Sequence, residues 1–273
     1  MNKRAVLKFI VYLLLVVFAA LFLIPVYLLI MTSLKANSQV SLSQMWALPH
    51  PFGFSGLVQA WQQVAPDMMN SVYLAVSATV VVAILGAING YALSKWKFRG
   101  SNVVYFFILL GMFIPYQSTL IPLIRVLNTL GLFDTIPGLA LVHIVYGIPI
   151  MTLIFRNFFA DIPDELVESA QIDGTKYWGI FRYIMMPLSI PGVVVAAIWE
   201  FTQVWNDFLF GVAVTDPPYQ PVTVAIVNIA GSQHIQWNVL MSSTLIASLP
   251  TLLVYLLLGR YFVRGLLAGS VKG

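Results

Sequence analysis

The chain has 273 residues, of which 60% are hydrophobic and 9% charged, whereas soluble domains carry about 25% charged residues. Fourteen basic and ten acidic side chains cannot clothe a chain of this size in water, so a water-soluble globule is excluded and lipid must supply much of the solvent. The net charge of +4 gives no reason to expect a nucleic-acid partner, and the lack of cysteine excludes disulfides, thiolate metal sites and cysteine nucleophiles.

Crossing about 30 Å of hydrocarbon takes about 20 apolar residues, because every backbone polar group must be satisfied within a helix. Residues 9–34, 68–94, 100–124 and 135–155 are free of charge, and each holds one apolar segment of spanning length. A fifth segment begins near Met185, and a sixth runs from Leu240 to Leu258 after a loop containing Asp216, Pro217, Pro218 and Pro221. The expectation is an all-α polytopic membrane protein. It forms one transmembrane domain over residues 1–273, with spans at about 9–31, 70–94, 102–124, 136–155, 185–206 and 240–260.

The first span follows a basic start, but its apolar run exceeds the about 7–15 residues of a secretory signal core, so it reads as a retained anchor. Six spans put both termini on one side. Lys3, Arg4 and Lys8 fall there, as do Lys95, Lys97 and Arg99, then Arg156, Lys176 and Arg182, then Arg260, Arg264 and Lys272. Only Lys35 and Arg125, out of 14 basic residues, fall opposite. The positive-inside rule therefore predicts a multi-pass protein with both termini cytoplasmic. Pro25, Pro115, Pro122, Pro149 and Pro191 sit in or at the ends of spans, where they can kink a helix. Gly86, Ala87, Gly90 and Ala92 would let the second span approach a neighbour closely.

Between spans four and five the composition changes, and Asp161, Asp164, Glu165, Glu168 and Asp173 appear within thirteen positions. Asp161 suits an N-cap, Pro163 a first turn, and Asp164 and Glu165 the positive end of a helix dipole. Leu166, Val167 and Ala170 form an apolar stripe, and Gly174 is placed to stop the helix. Tyr177, Trp178 and Phe181 then give a second short amphipathic helix beside Lys176 and Arg182. Periodicity alone fits a membrane-surface helix pair.

The residues say more. Glu168-Ser169-Ala170, then Gly174, then Ile184-Met185-Met186-Pro187 resemble the EAA motif of ABC importer permeases, E-A-A-x3-G-x9-I-x-L-P, with Ser169 for the central alanine and Met186 for leucine. Ile121-Pro122-Leu123, Leu130-Gly131-Leu132-Phe133-Asp134-Thr135, Trp205-Asn206-Asp207 and the final Gly269-Ser270-Val271-Lys272-Gly273 are similar to the carbohydrate-uptake, maltose-permease G-type branch. The resemblance covers nearly the whole chain. It implies a type I ABC importer permease fold in a bacterial or archaeal cytoplasmic membrane. It also implies a second permease subunit, two ATPase subunits that hold ATP and magnesium, and an external solute-binding protein. On this resemblance residues 161–187 form the coupling segment, with Glu168, Ser169, Ala170, Gly174, Tyr177, Trp178, Phe181, Ile184 and Pro187 meeting the ATPase. Val271, Lys272 and Gly273 would touch the ATPases as well.

No G-x4-G-K-[ST] phosphate loop occurs in the chain, so ATP hydrolysis is expected elsewhere and no cofactor in this chain. An ion-coupled secondary transporter would need charge deep in the membrane, and the candidates Glu200, His143 and Asp207 read as near span ends or unpaired. His50, His143 and His234 share no ligand spacing, and neither H-E-x-x-H nor G-x-S-x-G lies on a span, so neither a metal site nor a catalytic residue is expected. Trp199, Glu200, Gln203, Trp205 and Asn206 cluster at the outward end of span five. They fit an interfacial aromatic belt, and they fit a sugar-facing wall of hydrogen-bonding groups and flat rings. Gln117 in span three shares that ambiguity, and Asn89 suits a bond to a neighbouring helix. Asp207 suits the turn that ends the helix.

Overall fold

The computed structural model describes residues 3–96 and 98–270. In chain order the helices are α1 (Lys3–Ser33), α2 (Ser55–Lys95), α3 (Ser101–Leu110), α4 (Tyr116–Thr129), α5 (Ile136–Ala160), α6 (Asp164–Ile172), α7 (Tyr177–Ile180), α8 (Met186–Leu188), α9 (Ile190–Trp205), α10 (Leu209–Val214), α11 (Val222–Ala230) and α12 (Trp237–Ser270). A π-turn, Phe181–Met185, joins α7 to α8. No strand occurs among the described residues.

Among the described residues, four helices are long and apolar enough to cross a membrane: Val6–Ser33, Ser55–Lys95, Ile136–Ala160 and Trp237–Gly259. The other two expected spans are bent pairs. Ser101–Phe113 and Tyr116–Thr129 meet at 101°, and Tyr177–Leu188 and Ile190–Trp205 at 78°. The straight span expected at 102–124 is therefore broken, because Pro115 holds an extended conformation (φ −63°, ψ 126°) at the start of α4. The span expected from 185 starts at Ile190, with Pro191 in its first turn, where a missing N–H costs nothing. Pro25, Pro122 and Pro149 lie inside helices that continue past them. The second span is longer than expected, 41 residues rather than a bare membrane crossing.

The chain divides into two compact units, with divisions at Pro66, Ala225 and Pro250 inside α2, α11 and α12. One unit comprises the chain up to Ala65 with Ala225–Leu249. Its α1 displays apolar side chains to the exterior nearly throughout, Phe22 at 79% exposure among them, a surface that only lipid or another apolar chain can cover. Beyond α1 the chain turns back: Lys35 is buried, and its Nζ donates to the carbonyls of Gln44 (2.7 Å) and Met45 (3.2 Å). Burial lowers the Lys35 pKa from the ordinary lysine value. One of the two basic residues that fell on the outward side is thus a staple within its loop. The Tyr27 hydroxyl donates to the Trp46 carbonyl at 2.8 Å and the two rings stack.

The other unit comprises Pro66–Val224 and the chain from Pro250. Here α2 and α5 are in backbone contact. A Cβ at Gly86 would lie 2.4 Å from Met151 Cβ, and one at Gly90 2.6 Å from the Arg156 nitrogen, so the small residues of the second span serve close approach as expected. Asn89 Nδ2 reaches Thr152 Oγ1 at 3.5 Å. Val82, Ala87, Tyr91, Met151, Phe155 and Phe159 form a core that continues into Ile162, Val167, Ala170, Ile180, Met185 and Ala196. Tyr91 is its centre, fully buried, with its ring against Phe159, Tyr177 and Phe181.

The segment Leu130–Thr135 is a structural corner. Thr135 caps α5, its Oγ1 accepting from Gly138 N at 3.0 Å. Asp134 takes a left-handed conformation (φ 57°), and its Oδ1 accepts from Asp216 N at 2.7 Å.

Candidate functional site

The first site is the segment between α5 and α9. Helix α6 starts after Pro163, not at an Asp161 cap; Asp161 instead ends α5, since its own backbone N–H still bonds Asn157 and Phe159 carbonyls. Asp164 and Glu165 lie in the first turn as expected, where the dipole favours them. The C-terminus is a Schellman motif: Gly174 N donates to Gln171 O (3.0 Å), Thr175 N to Ala170 O (2.9 Å), and Gly174 has φ +78°. A left-handed residue there turns the chain sharply into α7, and glycine reaches that conformation without a Cβ clash.

One face of this segment is buried and the other open. Val167, Ala170, Ile180 and Met185 enter the core, while Glu168, Ser169, Trp178 and Pro187 are exposed. Tyr177 and Phe181, expected as contact aromatics, turn mostly inward against Tyr91, and Tyr177 also meets Trp96. The two are four apart and so share one face; beyond them Pro187 has no N–H for the Tyr183 carbonyl, and the ladder widens over Phe181–Met185. The open face carries a groove of about 380 Å³ lined by Leu166, Ser169, Ala170, Asp173, Tyr183, Ile184, Pro187 and Leu188. Three further bonds fasten the segment to α2. Lys95 Nζ reaches Asp164 Oδ1 and the Ile162 carbonyl, both at 2.5 Å, and Tyr91 Oη donates to the Tyr177 carbonyl at 3.3 Å.

The second site is a small pocket, about 110 Å³, lined by Tyr116, His143, Tyr146, Gly147, Glu200, Gln203, Asp207, Leu209 and Phe210. Glu200 is ten residues into α9, about 15 Å along its axis and five residues before the helix ends at Trp205. Glu200 is 3% exposed, and no side chain among the described residues donates to its carboxylate. Gly147 makes its room, since a Cβ there would lie 2.7 Å from Oε1 and 2.9 Å from Oε2. Beside it the rings of Tyr116, Tyr146 and Phe210 pack at 5.0 to 5.5 Å, with Tyr146 Oη bonded to Thr119 Oγ1.

Asp207 does what the sequence suggested and more. Its two oxygens accept from Phe210 N (3.2 Å) and Gly211 N (2.9 Å), capping α10, and Oδ2 stands 3.4 Å from His143 Nε2. The three ionisable residues read as terminal or unpaired thus converge on one pocket. Sequence reasoning missed Tyr116, Tyr146 and Phe210. The one signal available was that His143 and Tyr146 are three apart on one helix face. Of the expected wall, the pocket gathers Glu200 and Gln203 only. Trp199 is exposed on another face of α9, Trp205 is buried and stacked on Phe201, and Asn206 donates to the Thr202 carbonyl. Gln117 is exposed next to Tyr116 but does not line the pocket. Val271, Lys272 and Gly273 lie outside the described residues.

Gly147→Ala should force the Glu200 carboxylate aside at a cost of about 1–3 kcal/mol, the range for overpacked cores. The midpoint of thermal unfolding in detergent is expected to fall. The loss should be smaller in a Glu200→Ala background, where the Cβ meets no carboxylate. An equal loss in both backgrounds would detach Gly147 from Glu200.

Comparison with known proteins places this geometry. Residues 80–267 match the family described as binding-protein-dependent transport system inner membrane component. The chain is 40% identical to a probable ABC transporter permease protein of Pyrococcus horikoshii, over 100% of both chains. It is 33% identical to the xylose/arabinose import permease protein of Haloferax volcanii, covering 93% of this chain and 90% of that one. It is 32% identical to the glucose import system permease protein of Saccharolobus solfataricus, covering 96% and 95%. Among solved structures it is similar in fold to a chain of a bacterial ABC transporter for the import of the acidic polysaccharide alginate. The TM-score is 0.85 at 21% identity, with 96% of this chain and 98% of that chain covered.

Proposed function

We propose that this chain, which belongs to the binding-protein-dependent transport system inner membrane component family, is one of two permease subunits of an ATP-driven sugar importer. Separate ATPase subunits holding ATP and magnesium drive it, and an external solute-binding protein supplies it. Family membership makes it a multi-pass membrane permease and not itself an enzyme. The sugar reading is supported by relatives named for xylose/arabinose and glucose import that align over more than nine-tenths of the chain. The observation that carries ATPase coupling is the two-faced segment Asp164–Leu188, fixed to α2 on one side and grooved and open on the other. That segment, together with the family, favours this reading over an ion-coupled transporter, although Glu200, His143 and Asp207 come together in one pocket.

The chain carrying an affinity tag, extracted from its own cells in mild detergent, should bring with it an ATP-hydrolysing subunit and a second permease. In that assembly Glu200→Gln and Gln203→Ala, each tested alone, should change the apparent affinity or rate of sugar uptake. Recovery of the chain alone, with uptake driven by an ion gradient, would overturn the coupling assignment. Unchanged uptake in both variants would remove the pocket from the route.

The same reading orients the chain with both termini and the coupling segment in the cytoplasm, on the basic-residue distribution. Single cysteines at Ser43 and Arg99, both exposed, should then react with an impermeant thiol reagent from opposite sides. Labelling of the Arg99 position from outside intact cells would reverse the topology.

A further inference from the structure

We infer that the Glu200 pocket is a charge filter, so that the importer carries an uncharged saccharide and discriminates against sugars bearing carboxylates. This rests on the reading of the pocket as part of the solute route. The lining holds two carboxyl groups, Glu200 and Asp207, and one imidazole, His143, but neither lysine nor arginine. The imidazole stands 3.4 Å from Asp207 with its Nε2 making no hydrogen bond, and both Asp207 oxygens accept from the start of α10. Glu200, 3% exposed and lining the pocket, is the carboxyl that no helix start engages, so the lining holds more acid than base.

A buried carboxyl without a partner is costly unless it meets water or solute. Sugar hydroxyls meet the need whichever protonation state Glu200 holds, because a hydroxyl both donates and accepts. Tyr146, half-buried and backed by Phe210 at 5.2 Å, adds an apolar wall to the lining. A sugar carboxylate finds no fixed cation in this lining, and an ionised Glu200 repels it across a site of low dielectric. With about 110 Å³ available, the pocket admits the edge of one ring, which suits sampling the solute rather than enclosing it.

Gln203 is exposed at the pocket, and the chain has no native cysteine. Gln203→Cys, in the assembly with its partner subunits, would be treated with methanethiosulfonates bearing trimethylammonium, sulfonate or only methyl. Modification is followed by the mass of this chain, and each rate is divided by that of a small free thiol. The normalised cationic rate should exceed the anionic one by at least about tenfold, as a carboxylate a few ångströms away produces. Adding Glu200→Gln should remove most of that preference. Equal normalised rates in the single variant, or a preference unchanged by Glu200→Gln, would overturn the filter while the methyl reagent's reaction keeps the pocket accessible. If the methyl reagent also fails to react, the solute route through this pocket falls, and the filter with it.

Discussion

Truncating Tyr91 to alanine is expected to release the coupling segment from the span that holds it. The ring is fully buried and touches Phe159, Tyr177 and Phe181, so its removal leaves a cavity where α2, α5 and the π-turn converge. Aromatic truncations in a packed core cost about 3–5 kcal/mol. Tyr91→Phe keeps the rings in contact and loses only the 3.3 Å bond to the Tyr177 carbonyl, at about 1 kcal/mol. Unfolding in detergent should therefore rank wild type, then Tyr91→Phe, then Tyr91→Ala, with a wide second gap. On the proposed coupling role, the alanine variant in the assembled transporter should hydrolyse ATP with little sugar uptake, because a displacement of the segment would no longer be passed to α2. A phenylalanine variant as damaged as alanine would assign the role to the hydroxyl instead.

Gly174→Val should have the second largest effect, for a different reason. Nothing lies within 4 Å of a Cβ at this position, so the substitution creates no clash and no cavity. What it opposes is the φ of +78°, which costs a residue with a Cβ about 1–2 kcal/mol, and more when that carbon is branched. The Schellman corner should open, and the grooved face between Leu166 and Leu188 should lose its shape while the buried core stays intact. Uptake is expected to fall about tenfold or more, the equivalent of about 1.4 kcal/mol, with membrane insertion and thermal stability nearly preserved. Gly174→Asn, which tolerates the left-handed region, should retain much more uptake. Equal uptake in the two variants would show that the corner's conformation does not matter.

How much of this was legible depended on whether a residue's meaning is local. Gly174 could be read as a stop because the left-handed cap is a property of one residue, and Gly86 and Gly90 as a contact face because small size is visible in sequence. The break at Pro115 was not legible as such: hydropathy counts apolar residues and is blind to the direction in which they run, so a 101° bend and a straight span score alike. Tyr177 and Phe181 were assigned to the contact face by resemblance, and their turn towards Tyr91 was not legible because Tyr91 comes from a span 86 residues before Tyr177. The Asp161 cap failed because α5 runs on to Ala160, leaving Asp161 to close one helix rather than open the next. The pocket was the least legible, since His143 sits on α5 and Asp207 in the turn between α9 and α10, and only the fold sets them 3.4 Å apart.

The bend of 78° at Ser189 has a mechanical meaning. Lys95 grips one end of the coupling segment through Asp164 and Ile162, and Tyr91 grips the middle through Tyr177, so a push on its open face is borne by α2 as by a beam clamped at two points. The chain leaves that segment at Ser189, whose N–H bonds back to the Met185 and Met186 carbonyls and whose carbonyl accepts from Val193 N, so the backbone alone carries the joint while the buried Ser189 hydroxyl adds nothing to it. A displacement of the segment would therefore reach α9 through one short hydrogen-bonded elbow, and Glu200 stands about 15 Å along that arm.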